Sequence, residues 1–160
     1  MAALPGLRRT SRILLLAPDG AALLFLTAAP DSSRFARWIT PGGGVDAGES
    51  HAEAAVRELF EETSLAVDAV GEPVHTIDFA VGWDEADHDR GHAEYYLVRV
   101  AARFDPSSEH WTDEEHVDVT SHRWFTGDEL AASGEPFEPR ELPELLRRFA
   151  AGFAGGGERS

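Results

Sequence analysis

Residues 43–65 of this chain place glycine and charged residues at fixed spacings, in the pattern G-x5-E-x7-R-E-L-F-E-E-x-S-L. The spaced positions are Gly43, Glu49, Arg57, Glu58, Glu61 and Glu62. Since each would match by chance about once in fifteen, all six would match on the order of once in ten million starting points. The glycine-rich start lets the backbone approach a ligand or an ion closely. The pattern therefore predicts a carboxylate cluster of the kind that holds hard divalent cations and supports phosphoanhydride hydrolysis.

The segment 50–63 is predicted to form an amphipathic helix, because Ser50 followed by Glu53 is the signature of a capping box. At about 100° per residue, one face carries the residues that would pack on a sheet: Ala52, Ala55, Val56, Leu59 and Thr63, with Phe60 at its edge. Glu58, Glu61 and Glu62 are predicted on the opposite side, where neighbours lie about 5–6 Å apart at Cβ. A divalent cation would offset their repulsion. The alternative is a solvated stripe of glutamates, which the preceding glycine loop disfavours.

The charge balance bears on the partners of the chain. Its formal net charge is −15, from 29 acidic and 14 basic residues, and every basic residue is Arg. This argues against nucleic acid as a partner, which calls for a basic face. It is compatible with an anionic small substrate, because bound cations can invert the local field.

Other features of composition bear on the redox and membrane context. There is no cysteine, so disulfides and thiolate metal sites are excluded. The N-terminus lacks the apolar core of a signal peptide, and no apolar run reaches the length of a membrane span. We therefore expect a cytoplasmic protein with no membrane partner.

The chain is predicted to form one α/β domain over residues 10–153, between flexible tails at 1–9 and 154–160. Two apolar runs around Pro18-Asp19-Gly20 predict a β-hairpin. Thr126 and Glu129 repeat the capping signature before a short helix. The other expected elements are strands at 34–40, 67–70, 74–81, 93–100 and 117–125, polar loops at 83–91 and 104–116, and a final helix at 141–153.

The segment 43–65 resembles the signature box of the Nudix hydrolases, G-x5-E-x7-R-E-U-x-E-E-x-G-U, in which U is a bulky aliphatic residue. It departs from that box at one position, where Ser64 replaces the last Gly. That Gly often ends the helix with positive φ, so the departure concerns the end of the helix more than its carboxylates. The order of strands and helices is also similar to the family's α/β/α sandwich with a mixed β-sheet.

The resemblance implies roles for the residues of the box. Glu58 and Glu62 would be ligands of Mg²⁺ or Mn²⁺, and the carbonyl of Gly42 would add an oxygen. Glu61 would bind a second ion or orient the attacking water. Glu49 and Arg57 would pair and hold the loop against the helix. For Arg57, the alternative is an ordinary surface salt bridge to Glu53 or Glu61.

A carboxylate from a distant loop usually completes such a site. The candidates are Glu114 and Glu115, with Glu114 slightly preferred, and Glu94 is a third. Each of the first two could instead be a plain loop charge.

Three residues before the glycine loop are candidates for substrate binding. Trp38 could stack on a nucleobase, although tryptophans are more often core residues. Arg34 and Arg37 could bind phosphate, and the alternative for both is a solvated loop. The segment 87–89 with His92 could bind a transition metal, but a flexible polar loop explains it better.

The function that follows is metal-dependent hydrolysis of the phosphoanhydride bond in a nucleoside diphosphate linked to another moiety, X. No secondary motif singles out X. Alternatives are a catalytically silent Nudix-like module that binds nucleotides or regulates, and an acidic α/β domain with no metal site. A homodimer is a further expectation, by analogy with similar proteins.

Overall fold

The computed structural model describes residues 6–29, 33–80 and 88–156, which form seven strands and four helices. In chain order the elements are β1 (Gly6–Leu16), β2 (Ala22–Ala28), β3 (Ala36–Ile39), β4 (Gly42–Gly44), α1 (His51–Thr63), β5 (His75–Ala80), β6 (His88–Arg99), α2 (Asp113–Asp118), β7 (Val119–Phe125), α3 (Gly127–Ser133) and α4 (Leu142–Gly156). None of the helices in these ranges is long and apolar enough to cross a membrane.

Strand β1 is the centre of a mixed sheet. It pairs in parallel with β6 from Gly6↔His88 to Leu16↔Arg99, and antiparallel with both β2 and β4. The main path of the sheet is β3-β2-β1-β6-β5, while β4 pairs with β1 and β7 pairs with β2. The predicted hairpin between β1 and β2 is confirmed, and its turn includes Gly20 at φ 86°.

Helices cover both faces of the sheet. Ile13 and Leu15 pack toward α1, in a cluster that includes Leu59. Leu14 and Leu16 point to the other face, where they join the buried leucines of α3 and α4. Successive side chains of a strand point to opposite faces, so an uninterrupted apolar run fits a strand that is buried on both sides. The predicted α/β/α sandwich with a mixed sheet is thus confirmed.

Capping boxes begin three of the helices. The two predicted from the sequence are confirmed: Ser50 with Glu53 at α1, and Thr126 with Glu129 at α3. The third joins Thr112 to Glu115 and begins α2. The prediction of a loop over residues 104–116 is therefore wrong from Asp113 onward, where α2 begins. The strand predicted from residue 117 begins at Val119 instead.

Several other boundaries differ from the prediction. Residues 67–70 form no strand, although Val70 is buried in the core cluster beneath α1. The expected glycine loop contains strand β4, and a Cβ at Gly42 would lie 2.1 Å from the carbonyl oxygen of Ser11. Strand β1 begins inside the predicted tail 1–9, and α4 extends beyond residue 153. Of the loop predicted at 83–91, residues 88–91 belong to β6 and the rest lie outside the described residues.

Ser64, at the end of α1, occupies the left-handed region at φ 66° and ψ 13°. This is the conformation that glycine adopts without steric cost at the end of a helix. The Ser64 hydroxyl is also buried without a hydrogen-bond partner. Serine at this position therefore carries two costs, one from the backbone and one from the hydroxyl.

Replacing Ser64 with Gly is expected to stabilise the protein by up to about 1 kcal/mol, with turnover nearly unchanged. Thermal unfolding should then shift upward by about 2–4 °C. Ser64→Ala is the matched control, because it removes the hydroxyl but keeps the Cβ in the left-handed region. A Gly variant less stable than wild type would contradict the cost assigned to the positive φ. A large loss of turnover would show a chemical role for Ser64.

Candidate active site

Helix α1 lies closely over strand β4 because the strand has no side chains. A Cβ built on Gly43 would lie 2.5 Å from Oε2 of Glu58, so any larger residue there would displace this carboxylate. Glu58 is only 9% exposed and is buried with Ala54, Ala55 and Leu59. The expectation that Glu58 lies opposite the packing face is therefore wrong. The absence of side chains on β4 leaves room for a carboxylate within the packing face.

Glu62 is held from two directions, one turn further along α1. The backbone N–H of Gly42 donates to its Oε1 at 2.8 Å. The indole N–H of Trp111 donates to its main-chain carbonyl oxygen at 2.8 Å. The first bond orients the side chain and the second holds the main chain, at the junction of β4, α1 and the segment that leads into α2.

Glu115 reaches the same place from α2. Its Oε1 accepts the N–H of Thr112 at 2.9 Å, which closes the capping box and fixes the side chain. Glu58, Glu62 and Glu115 each offer a carboxylate oxygen, and these three oxygens lie within 4.8 Å of one another. We refer to these three residues as the carboxylate cluster.

Ionisation of this cluster is unfavourable without a cation. Burial raises the pKa of Glu62 well above its usual range, and the charge of Glu58 and a hydrogen bond with Glu115 raise it further. Burial also raises the pKa of Glu58, against the opposing effect of Arg57. Buried carboxylates that remain charged need a compensating positive charge, which a bound divalent cation would provide.

Arg57 links the loop after β4 to the cluster. Its guanidinium donates to both oxygens of Glu49, at 2.7 and 2.9 Å, which confirms the predicted pair. It also donates to the carbonyl of Gly44 at 2.9 Å and to Glu58 at 3.0 Å. These hydrogen bonds lower the pKa of Glu49 and raise that of Arg57. The predicted alternative partner Glu61 is also in contact, at 3.2 Å.

The other predicted ligands and bases lie at different distances from the cluster. Glu61 contacts Arg57 and is not one of the three clustered carboxylates. Glu114 is exposed on α2, so the geometry favours Glu115 over it. Glu94 lies on β6 in a separate group with His51 and His92. Gly42 meets the cluster through its amide, and its carbonyl remains a predicted ligand.

The three predicted substrate-binding residues have partners within the protein. Trp38 is 4% exposed and packs edge-on against Phe125 in the core beneath α4, so its predicted stacking on a nucleobase is wrong. Arg34 pairs with Asp118 at the end of α2. Arg37 lies 3.3 Å from Glu138 and donates to the carbonyl of Thr27.

Trp111 and Arg12 belong to the site and were missed in the sequence. Trp111 lines an open cleft with about 140 Å³ of empty space, together with Phe25, Glu62, Glu115 and Val119. Arg12 lies on β1 directly before the apolar run of that strand, and its charge lowers the pKa of Glu62. For Trp111, the only signal was its position next to the capping residue Thr112.

The family follows from a match that extends far beyond the box. A sequence profile of the NUDIX domain matches residues 6–148, which includes both helical layers and the carboxylate cluster. The chain belongs to the Nudix family. The match confirms the resemblance seen in residues 43–65 and identifies the protein as a Nudix hydrolase.

Several relatives of this Nudix hydrolase are named RNA pyrophosphohydrolases. It is 26% identical over 157 residues to an RNA pyrophosphohydrolase of Erythrobacter litoralis, covering 89% of this chain and 90% of that one. It is 32% identical over 131 residues to an RNA pyrophosphohydrolase of Caulobacter vibrioides, covering 74% and 72%.

Solved structures share the fold. A MutT protein from Methanosarcina mazei aligns with a TM-score of 0.65 at 18% identity, over 99% of this chain and 100% of that one. The dihydroneopterin triphosphate pyrophosphohydrolase of E. coli aligns with a TM-score of 0.65 at 16% identity, over 90% and 95%. At these identities, the likeness concerns the architecture of the Nudix fold.

The raised pKa of Glu62 makes the stability of the metal-free Nudix hydrolase depend on pH. The pKa of this carboxyl is higher in the folded chain than its ordinary value of 4.5. The folded protein therefore loses stability as the pH rises through the pKa of the folded state. Glu62→Gln removes this cost. In EDTA it should be more stable than wild type at alkaline pH, and the difference should shrink as the pH falls toward the ordinary value of this carboxyl.

Urea unfolding in EDTA at several pH values would measure this difference, away from the isoelectric point of about 4.7. Adding Mg²⁺ should stabilise wild type and leave Glu62→Gln less affected. Glu144→Gln, an exposed change on α4, is the control. Parallel pH profiles for wild type and Glu62→Gln would contradict the electrostatic account.

Proposed function

We propose that this Nudix pyrophosphohydrolase depends on Mg²⁺ or Mn²⁺ and cleaves the phosphoanhydride bond of a nucleoside diphosphate linked to another moiety. The observation that supports this most directly is the carboxylate cluster, in which oxygens from two separate helices lie within 4.8 Å of one another. Two of its members come from the Nudix box and the third comes from α2.

The donor set fits a hard divalent cation. The ligands proposed from it are Glu58 and Glu62, whose carboxylate oxygens suit Mg²⁺ and Mn²⁺ better than softer transition metals. Burial raises the pKa values of Glu58 and Glu62, which is the environment in which a bound cation offsets the cost of their charges. Glu61 and the carbonyl of Gly42 are proposed as further ligands. Glu61 lies beside the cluster, because Arg57 contacts both Glu61 and Glu58. Gly42 belongs to β4, which packs against α1.

A bound divalent cation would supply neutralisation of the diphosphate charge and a lower pKa for water. The chain itself holds the ligands in place. Arg57 fixes Glu58 and joins it to Glu49, and the amide of Gly42 fixes Glu62. Such fixed groups spare the reaction the cost of reorganisation.

Glu115 is proposed as the carboxylate that accepts the proton of the attacking water. Its Oε1 is occupied by the cap of α2, which leaves the other oxygen for this role. The products would be X-monophosphate and either phosphate or a second monophosphate.

The arginines predicted to bind phosphate lie at different distances from the cleft residues. Arg34 is a candidate for binding phosphate, because its partner Asp118 belongs to the same short helix as Glu115. Arg37 is the second candidate, and its side chain is more buried.

The 5′ end of an RNA is the second candidate substrate, because the relatives are named RNA pyrophosphohydrolases. The charge of this chain favours the smaller substrate. With a formal net charge of −15, it lacks the excess of basic residues that usually neutralises the backbone phosphates of a nucleic acid. The two candidates therefore differ in how much of the polymer the protein would contact.

A substrate panel with Mg²⁺ tests the proposal. It would contain nucleoside triphosphates, nucleotide sugars, dinucleotides and a short RNA with a 5′ triphosphate, with products resolved by chromatography. We expect turnover of an X-linked nucleoside diphosphate that is abolished by EDTA. Faster turnover of the RNA would select the second candidate. Binding without turnover of any compound would support the catalytically silent module, and turnover that persists in EDTA would exclude the dependence on metal.

A further inference from the structure

A second group of metal-ligating side chains lies outside the carboxylate cluster. It consists of His51, the first residue of α1, and of His92 and Glu94 on β6. Each offers one ligand atom, and these three atoms lie within 4.8 Å of one another. We refer to these residues as the His–Glu cluster. Their side chains are 16–28% exposed, so an ion from solution can reach them.

The sheet register brings the cluster together. His92 and Glu94 are two residues apart on β6, so their side chains point to the same face. Glu94 pairs in register with Ser11 of β1, and the Ser11 hydroxyl donates to the main-chain carbonyl of His51 at 2.6 Å. That hydrogen bond holds the start of α1 above the two β6 residues.

The cluster is separate from the carboxylate cluster. His51 precedes Glu58 by seven residues, which corresponds to about 10 Å along a helix. The two groups share no residue. They also differ in chemistry, since one has oxygen donors alone and the other has two imidazoles and one carboxylate.

Each member of the His–Glu cluster is oriented by a polar neighbour. Nδ1 of His92 lies 2.8 Å from the carboxylate of Asp78, which leaves Nε2 directed at Glu94 at 3.0 Å. The hydroxyl of Tyr96 donates to the other oxygen of Glu94 at 2.9 Å. Nδ1 of His51 lies 3.2 Å from the Ser11 hydroxyl. A carboxylate behind a histidine is the usual support for a ligating imidazole, because it fixes the ring and raises its basicity.

We propose that the His–Glu cluster binds one divalent transition-metal ion and that Zn²⁺ fits it best. Two imidazoles with one carboxylate are a common ligand set for zinc, with a fourth position left for water. At bond lengths of about 2.0–2.2 Å, tetrahedral ligand atoms lie about 3.3–3.6 Å apart. Nε2 of His92 lies 3.0 Å from one oxygen of Glu94, and Nδ1 of His51 lies 3.9 Å from the other. The side chains would have to shift to bring one atom of each residue to the tetrahedral separations. The ion would replace the proton shared by His92 and Glu94.

The bound ion would join α1 to β6 at the start of the helix that carries Glu58 and Glu62. It would therefore stabilise the folded protein independently of any ion in the carboxylate cluster. This inference does not rest on the proposed substrate or reaction.

Zn²⁺ titration by calorimetry tests the site in a Glu58→Gln/Glu62→Gln background, where the carboxylate cluster is weakened. We expect one Zn²⁺ per chain. Binding of Zn²⁺ should weaken about tenfold or more when His92→Gln, His51→Gln or Asp78→Asn is added to this background. His75→Gln, on neighbouring β5, is the matched control and should leave the affinity unchanged. Circular dichroism would confirm that each variant is folded.

Co²⁺ provides a second measurement that needs no histidine variant. X-ray absorption of the Co²⁺-loaded background protein should show scattering from imidazole rings. Loss of Zn²⁺ binding in the two histidine variants together with this scattering would support the site. Unchanged affinity in those variants, an absence of imidazole scattering, or no binding up to about millimolar Zn²⁺ would overturn it. In the last case His51, His92 and Glu94 form a hydrogen-bonded network alone.

Discussion

Replacing Glu62 with Gln is expected to reduce turnover at least about a hundredfold while the fold is retained. Gln keeps the size of the side chain, and its carbonyl oxygen can still accept the amide of Gly42. What it removes is one negative charge from the carboxylate cluster, and losses of a key charged group at an active site have effects of this order. Steady-state kinetics at saturating Mg²⁺ with the best substrate of the panel would measure the change.

The control for Glu62 is the same substitution at Glu144, an exposed glutamate on α4, across the sheet from the cluster. It changes the net charge equally and should leave turnover at the wild-type level. If Glu62→Gln also keeps full turnover at saturating Mg²⁺, the helix of the Nudix box is not the metal site. Since the same variant should be more stable than wild type in EDTA, loss of activity through unfolding is distinguishable from loss of a ligand.

The second large effect is expected at Glu115, for which α2 supplies its own comparison. Glu115→Gln should lower kcat about a hundredfold with little change in KM, because the carboxylate is proposed to act on the water and not on bound substrate. Gln is also accepted at this position of a capping box, so α2 should keep its start. Glu114→Gln, one residue away and exposed, should have little effect. Kinetics of both variants across pH would test the pair.

The reverse pattern, with a large loss at Glu114 and none at Glu115, would contradict the geometry. If both variants keep full kcat, the proton acceptor lies elsewhere, and Glu61 and Glu94 become the next candidates. Glu115→Ala would be a poor substitute for Gln. It would remove the side chain that closes the capping box, so an effect on catalysis could not be separated from disorder of α2.

Local patterns predicted the parts of this protein that depend on short-range geometry. The hairpin at Pro18-Asp19-Gly20, the capping boxes at Ser50 and Thr126 and the pair between Glu49 and Arg57 all involve residues close in sequence. Such features need few assumptions about the rest of the fold. The resemblance to the Nudix family predicted the sandwich itself, because members of the family share the order of strands and helices.

Other features could be assigned only from the packed structure, because they depend on contacts between residues far apart in sequence. Glu58 looked exposed on a helical wheel, and it is buried because β4 beneath it has no side chains. Trp38 lies close in sequence to the glycine loop, but the alternation of β3 turns it toward the opposite face of the sheet. The choice of Glu115 over Glu114 depends on which side of α2 faces the cleft. The His–Glu cluster depends on the register between β1 and β6, which no local pattern contains.

The position of Trp111 gives this Nudix hydrolase an intrinsic optical reporter. Its indole N–H is bonded to the main chain of Glu62, and its ring lines the cleft beside Glu62 and Glu115. Indole emission responds to nearby charge and to water, both of which change when a cation or a phosphate enters the cleft. Trp38 and Trp124 are buried in the core clusters. Occupancy of the cleft should therefore be visible in the fluorescence of the unlabelled protein.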